Sequence, residues 1–136
     1  GELALSYRHS SITEEHYMVL GVTIALEAGS QEQIRAKMEE LKEKRVEKQP
    51  LEYPSAGSTF KRPEGYFAGK LIMDAGLRGF QVGGAAVSEK HCGFVINKEK
   101  ATASDVYRLI QEVQQEVYRQ FGVKLETEVK MVGDFR

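Results

Sequence analysis

Residues 102–122 constrain the fold more than any other stretch, because they specify a helix, both of its ends and the side it must hide. Val106, Leu109, Ile110, Val113 and Val117 recur at three- and four-residue spacing as far as Phe121, and Gly122 follows where a helix would end. Thr102 and Asp105 stand at the start with the spacing of a capping box. Alternating runs elsewhere supply strands, so the fold class is α+β or α/β.

The clearest of those runs is residues 17–27, with Met18, Leu20, Val22, Ile24 and Leu26 on one side of a period-two pattern that predicts a strand. Ser30 and Gln33 then have the form of a capping box, and Ile34, Met38 and Leu41 predict a helix over 31–45 whose charged outer face is mixed in sign. Between 47 and 65 all three prolines appear (Pro50, Pro54, Pro63), which reads as a long irregular segment. Phe67, Leu71, Ile72 and Ala75 resume the helical pattern, with Gly76 at the cap position. Short strands are expected at 79–82, 85–87 and 93–97, the Gly83-Gly84 pair breaking or bulging the first. The last segment, 123–131, alternates as Val123, Leu125, Thr127, Val129 and Met131 and predicts a strand with Lys124, Glu126, Glu128 and Lys130 on its other face.

Composition excludes several function classes. Hydrophobic residues make up 41% and charged residues 29%, so neither a disordered nor a collagen-like chain fits. Nineteen Lys and Arg against twenty Asp and Glu leave a net charge of -1, without the bulk positive charge that draws nucleic acid or an anionic membrane. No apolar run is long enough to cross a membrane. The single cysteine, Cys92, forms no internal disulfide, and a reducing cytoplasm is the expected setting. The chain begins at Gly1 rather than Met, in a segment already rich in specific polar residues, and is expected to be a piece of a longer protein.

The densest cluster of unusual choices is Pro54-Ser55-Ala56-Gly57-Ser58-Thr59-Phe60-Lys61-Arg62-Pro63. Its small residues allow close approach, and hydroxyls beside Lys61 and Arg62 suit an anionic ligand; a polar turn or helix cap uses the same residues. Gly65 to Lys70 is one residue short of a phosphate-binding P-loop and has Leu71 where a magnesium ligand belongs, and Gly83-Gly84 lacks dinucleotide-fingerprint spacing. His91 and Cys92 have no second Cys or His at metal-ligand spacing, and Cys92 beside Phe94 and Val95 reads as a buried thiol. Spacing alone lifts neither Arg8 nor Glu128 above ordinary surface.

Taken together, Tyr7-Arg8-His9-Ser10, Gln49-Pro50-Leu51, the serine segment 54–61, Phe67-Ala68-Gly69-Lys70-Leu71-Ile72, Gly83-Gly84-Ala85, Val87-Ser88-Glu89-Lys90-His91 and Leu125 through Glu128-Val129 to Gly133 resemble the C-terminal part of the UDP-N-acetylenolpyruvoylglucosamine reductase family. The resemblance covers nearly the whole chain and rests on the order and spacing of the motifs. It implies a UDP-N-acetylmuramate dehydrogenase of peptidoglycan precursor synthesis: NADPH reduces bound FAD, and hydride passes to C3 of UDP-N-acetylglucosamine enolpyruvate. By that resemblance Arg8 and Glu128 stabilise the enolate-like intermediate, and the Ser58 hydroxyl protonates C2. Lys61, Arg62 and His91 fall at substrate-binding positions. The residue types fit the chemistry, since a guanidinium grips a carboxylate with two donors and stabilising developing charge is usually the largest catalytic term.

Where the family usually has Asn, this chain has Arg62, which either meets a diphosphate oxygen or points outward. The resemblance implies an organisation in which 1–49 are the tail of a vanillyl-alcohol-oxidase-like FAD-binding domain, 50–124 the substrate-binding α/β domain, and 125–136 a strand returning toward the flavin part. Most of the FAD-binding domain lies outside this sequence, so the chain alone is expected not to turn over. The lack of a Tyr-bearing insertion matches the shorter, second type. The alternative is a standalone module that binds the UDP-sugar through Lys61, Arg62 and His91 without redox chemistry; a third expectation is self-association through the apolar face of 17–26.

Overall fold

A computed structural model describes residues 3–135 and divides the chain into two compact units, Gly1–Arg35 and Ala36–Arg136. In the first, Ser6 and His9 exchange backbone hydrogen bonds (3.1 and 3.3 Å) across a tight turn, followed by a short helix α1 (Ser11–Glu14) that the sequence did not announce. Residues 17–27 form no strand. Met18, Leu20, Val22, Ile24 and Leu26 are all exposed, Leu20 to 92%. The pattern specified a two-faced ribbon but no neighbour, and a strand exists only through hydrogen bonds to another strand.

Helix α2 (Gln31–Lys48) spans the division and runs one turn further than expected. Half of the expected capping box is present, with the Gln33 N–H 3.5 Å from Ser30 Oγ. The helix buries no residue, and Ile34, Met38 and Leu41 face solvent. Lys90 Nζ donates to the Val46 carbonyl at 2.8 Å, satisfying one of the acceptors a helix C-terminus leaves open.

The second unit is an α+β fold on one antiparallel sheet, in the order β1 (Ser55–Ser58), β4 (Phe94–Asn97), β3 (Ala85–Val87), β2 (Gln81–Val82). Helices α3 (Ala68–Asp74) and α4 (Ala103–Phe121) cover one face. Ala85, Val87 and Val95 meet Leu71 and Ile72 of α3 and Leu109, Ile110, Val113 and Val117 of α4 there, while Ala86, Phe94 and Ile96 form a smaller cluster on the other face. Of the α4 positions picked out by periodicity, Leu109, Ile110, Val113 and Val117 are buried and Val106 packs against this core, while Phe121 at the helix end is exposed.

Three further expectations are corrected. The proline-rich segment is not wholly irregular, since it contains β1. Gly83-Gly84 is not a break in a strand but the two-residue loop of the β2–β3 hairpin, with Val82 paired to Ala85. A side chain at Gly84 would collide with the Glu99 carbonyl and Ala101, because the Gly84 oxygen accepts from both Lys98 and Glu99 N–H at close range. Residues 123–131 form no ladder beyond one bridge between Thr127 and Phe60.

The α4 start is as expected: Thr102 Oγ1 accepts from Asp105 N–H (3.1 Å), and the Asp105 carboxylate accepts from Thr102 N–H (2.9 Å). The Thr102 backbone N–H, then its hydroxyl and the Gly84 N–H, hold the Asp105 carboxyl below its usual 3.8. A depressed carboxyl contributes stability above its unfolded pKa and loses it as the pH falls through the folded value. Independently of that charge, Thr102→Ala removes the N-cap acceptor and should lower stability by about 1 kcal/mol in denaturant melts. The parent should lose stability as the pH falls below 3.8, with Asp105→Asn removing part of that slope.

Candidate functional site

Ser58 ends β1 opposite Phe94 of β4, so its side chain shares the sheet face carrying Phe94, Ile96 and Ala86, away from the helices. It is exposed, as a hydroxyl that meets a ligand must be. The register shifts between Ser55 and Ser58, where Gly57 takes φ +86°. The strand is nonetheless anchored immediately after Ser58. Thr59 is buried, its N–H donates to the Gly93 carbonyl (2.8 Å), and its Oγ1 accepts from the Val95 N–H at 3.0 Å.

On the other side of Thr59 runs the C-terminal segment. Glu128 N–H donates to the Thr59 carbonyl (2.9 Å) and Lys61 N–H to the Glu126 carbonyl (2.8 Å), with Thr127 bridged to Phe60 between them. The fold thus brings the segments carrying Ser58 and Glu128 side by side. The alternation of 123–131 put Glu128 on a solvated face with Lys124, Glu126 and Lys130. Those three are exposed, whereas Glu128 is half-buried and its Oε2 is shut off from solvent.

Lys61 directs Nζ to Glu126 Oε2 at 3.1 Å, an exposed pair. The Arg62 guanidinium lies 4.0 Å from the Phe67 ring centroid, and its Nε donates to the Tyr66 carbonyl (3.3 Å). His91 sits in the β3–β4 loop, where buried Ser88 Oγ accepts from the Lys90 and His91 N–H groups at 3.2 Å. Its Nδ1 accepts from Gly93 N–H (3.1 Å), which leaves Nε2 as the donor of the neutral ring, and the ring stands edge-on to Phe94 at 5.0 Å. A Cβ on Gly93 would come within 2.9 Å of that ring, and one on Gly69 within 3.3 Å, so both glycines make room for it.

Arg8 belongs to the first unit, where it takes φ +56° in the Ser6–His9 turn, a left-handed conformation strained for a non-glycine residue. Its guanidinium lies 5.9 Å from the Tyr7 ring centroid. Cys92 is buried in the main core, as expected, and burial pushes its thiol up, against the nearby Arg78.

Among the described residues, cavities border β4. One of about 210 Å³ on the open sheet face is lined by Glu52, Tyr53, Ala86, Ser88, Glu89, Ile96 and Lys98. The other, about 410 Å³, is lined mainly by apolar residues including Ala56, Val95, Val106, Ile110, Val129 and Met131, a poor match for a charged ligand. Sequence reasoning missed Thr59, Glu126, Tyr66 and Phe67. Only Thr59 carried a signal, a threonine inside the glycine-serine segment next to a core phenylalanine.

Comparison with known proteins gives one consistent result. Residues 49–132 match the family model for the C-terminal domain of UDP-N-acetylenolpyruvoylglucosamine reductase. The reductase of that name from Agathobacter rectalis is 66% identical over 134 residues, 98% of this chain and 43% of that protein. The one from Clostridium botulinum strain Alaska E43 is 58% identical over 98% of this chain and 44% of its own length. A crystal structure of UDP-N-acetylenolpyruvylglucosamine reductase from Thermus caldophilus superposes with a TM-score of 0.73 at 34% identity, covering 95% of this chain and 45% of that one. The chain spans less than half the length of these relatives. Among the described residues no helix is long and apolar enough to cross a membrane.

The Thr59 hydroxyl yields a stability prediction that involves no ligand. Thr59→Val keeps the shape but leaves the Val95 N–H without its acceptor, and should cost about 1–3 kcal/mol in denaturant unfolding. Amide exchange at Val95 should quicken more than exchange in the middle of α4.

Proposed function

The chain belongs to the UDP-N-acetylenolpyruvoylglucosamine reductase family, and from that premise we propose that it is the substrate-side portion of an FAD-dependent, NADPH-consuming reductase. In this reading the complete enzyme converts UDP-N-acetylglucosamine enolpyruvate to UDP-N-acetylmuramate, in the cytoplasm, for peptidoglycan synthesis. The observation that supports the assignment of roles is the pairing of 126–128 with 59–61, which sets Glu128 beside the Ser58 strand. Residues 1–49 are read as the tail of the FAD-binding domain, 50–124 as the substrate-binding domain and 125–136 as the segment returning toward the flavin part.

The residues present suit the substrate rather than the flavin. Lys61 and Arg62 follow Ser58 closely in the chain and His91 lies in the loop before its partner strand β4, and a lysine, an arginine and an imidazole donor are the set an anionic nucleotide sugar needs. The Gly83-Gly84 pair, which lacks dinucleotide-fingerprint spacing, is also already filled, because the Asp105 carboxylate occupies the space beside Gly83 and faces the Gly84 N–H. A carboxylate there repels a phosphate. FAD, reduced by NADPH, supplies the hydride when bound, and the remainder of the reductase is proposed to hold it.

The chemistry assigned to this chain is charge stabilisation and proton delivery. Arg8 grips the substrate carboxylate with two donors as negative charge builds at C2. Glu128, screened from water at Oε2, serves the same charge as a hydrogen-bond donor, a role that requires its carboxyl to carry a proton. Ser58 is a weak acid, so it protonates C2 only because it is held against a strongly basic carbon. The anchoring of Thr59 on both sides supports that role by restricting where Ser58 can go. Lys61, Arg62 and His91, the last through Nε2–H, hold the nucleotide sugar.

When this chain is joined to the remaining part of the Agathobacter rectalis reductase, Ser58→Ala should lower kcat by about 10²- to 10⁴-fold, with KM for the UDP-sugar little changed. A small effect on kcat would remove Ser58 from the proton-transfer step. The 136-residue chain alone should be colourless and should not oxidise NADPH; yellow colour and NADPH turnover in the purified chain would overturn the division of labour.

A further inference from the structure

The residues after Lys61 form a clip. Tyr66 N–H donates to the Pro63 carbonyl (3.1 Å), closing a turn with Gly65 at φ +74° in its third position, where the left-handed conformation favours glycine. Proline at the first position of the turn and glycine at the third bring the flanking residues, Arg62 and Phe67, together. The guanidinium comes to rest 4.0 Å from the Phe67 ring centroid while its Nε is engaged by the Tyr66 carbonyl. Phe67 caps α3 but is 61% exposed, and the residues that follow it, Ala68, Leu71 and Ile72, do the packing. An exposed phenylalanine at a helix start contributes little to the core, and its ring instead faces the Arg62 guanidinium.

We propose that Phe67 is a positioning residue that, through the Pro63–Tyr66 turn, holds the Arg62 guanidinium in one orientation for binding the diphosphate of the nucleotide-sugar substrate. The inference rests on the reading of Arg62 as a substrate ligand and adds the device that orients it. A free arginine side chain loses much rotational freedom when it grips an anion. One already stacked and hydrogen-bonded within its own loop has lost that freedom beforehand, and its planar donor edge is preset. The stacking is electrostatic and survives in water, because a ring face attracts a cation at this distance.

The test has two parts. In the 136-residue chain, the Phe67 ring current should shift the Arg62 side-chain proton resonances upfield, and Phe67→Leu should return them to random-coil positions with the melting temperature unchanged. In the reductase completed as above, Phe67→Leu should raise KM for the UDP-sugar about three- to thirtyfold while kcat holds. Gly65→Ala, which strains the turn without touching either partner, should act in the same direction. Arg62→Ala serves as the reference. If it leaves KM unchanged, the reading of Arg62 as a ligand fails; if it raises KM but Phe67→Leu and Gly65→Ala do not, the clip is overturned and the ligand reading stands. In an Arg62→Ala background, Phe67→Leu should add nothing, and a full additional effect would likewise overturn the coupling.

Discussion

The bond from the Val95 N–H to Thr59 Oγ1 is the interaction on which the geometry near Ser58 depends. β1 is a four-residue edge strand with an irregular register, and such an edge is short of hydrogen bonds. A side-chain hydroxyl takes the place of a backbone acceptor where the ladder ends, and the Thr59 N–H and carbonyl are both used, one toward Gly93 and one toward Glu128. Three bonds made by one buried residue therefore tie β4, the serine strand and the C-terminal segment together. Because burial strengthens the consequence of losing any of them, the position of Ser58 follows from Thr59 more than from Ser58 itself.

What was legible in the sequence follows the range of the forces involved. The α4 helix, its Thr102–Asp105 cap and its end at Gly122 were readable because every determinant lies within a few residues of what it determines. The β2–β3 region was located but its glycine pair misread, since a bulge and a two-residue hairpin loop have the same composition. The alternation at 17–27 and 123–131 was present, yet period two reports which side chains share a face and says nothing about whether a neighbouring strand exists. In the second case the chain makes two ladder bonds, at Glu126 and Glu128, and then leaves.

The candidate site shows the same division. Ser58, Lys61, His91 and Glu128 were named on resemblance, and the fold gathers their segments around β1 and β4 through contacts that no local pattern contains. The resemblance left Arg62, standing where the family usually has Asn, open between meeting a diphosphate and pointing outward. The structure adds a partner that neither alternative included, the Phe67 ring, because cation–π contact across a turn depends on the φ of Gly65 rather than on charge.

The two units also differ in how far they satisfy themselves, and this bears on where one functional part gives way to another. Along α2 no side chain is buried, and the division between the units falls within the helix, after Arg35. Burial instead begins immediately beyond the helix, at Pro50, and continues through Thr59, Phe60 and α3 into the main core. The family match also starts at residue 49. A domain has its own hydrophobic interior, and by that criterion the interior begins where the helix stops. The residues before it carry Leu20, Val22, Ile24, Leu26, Ile34, Met38 and Leu41 in the open, more apolar surface than a self-contained unit exposes. That asymmetry puts the hydrophobic interior within the stretch that matches the family's C-terminal domain, while the preceding residues leave their apolar side exposed.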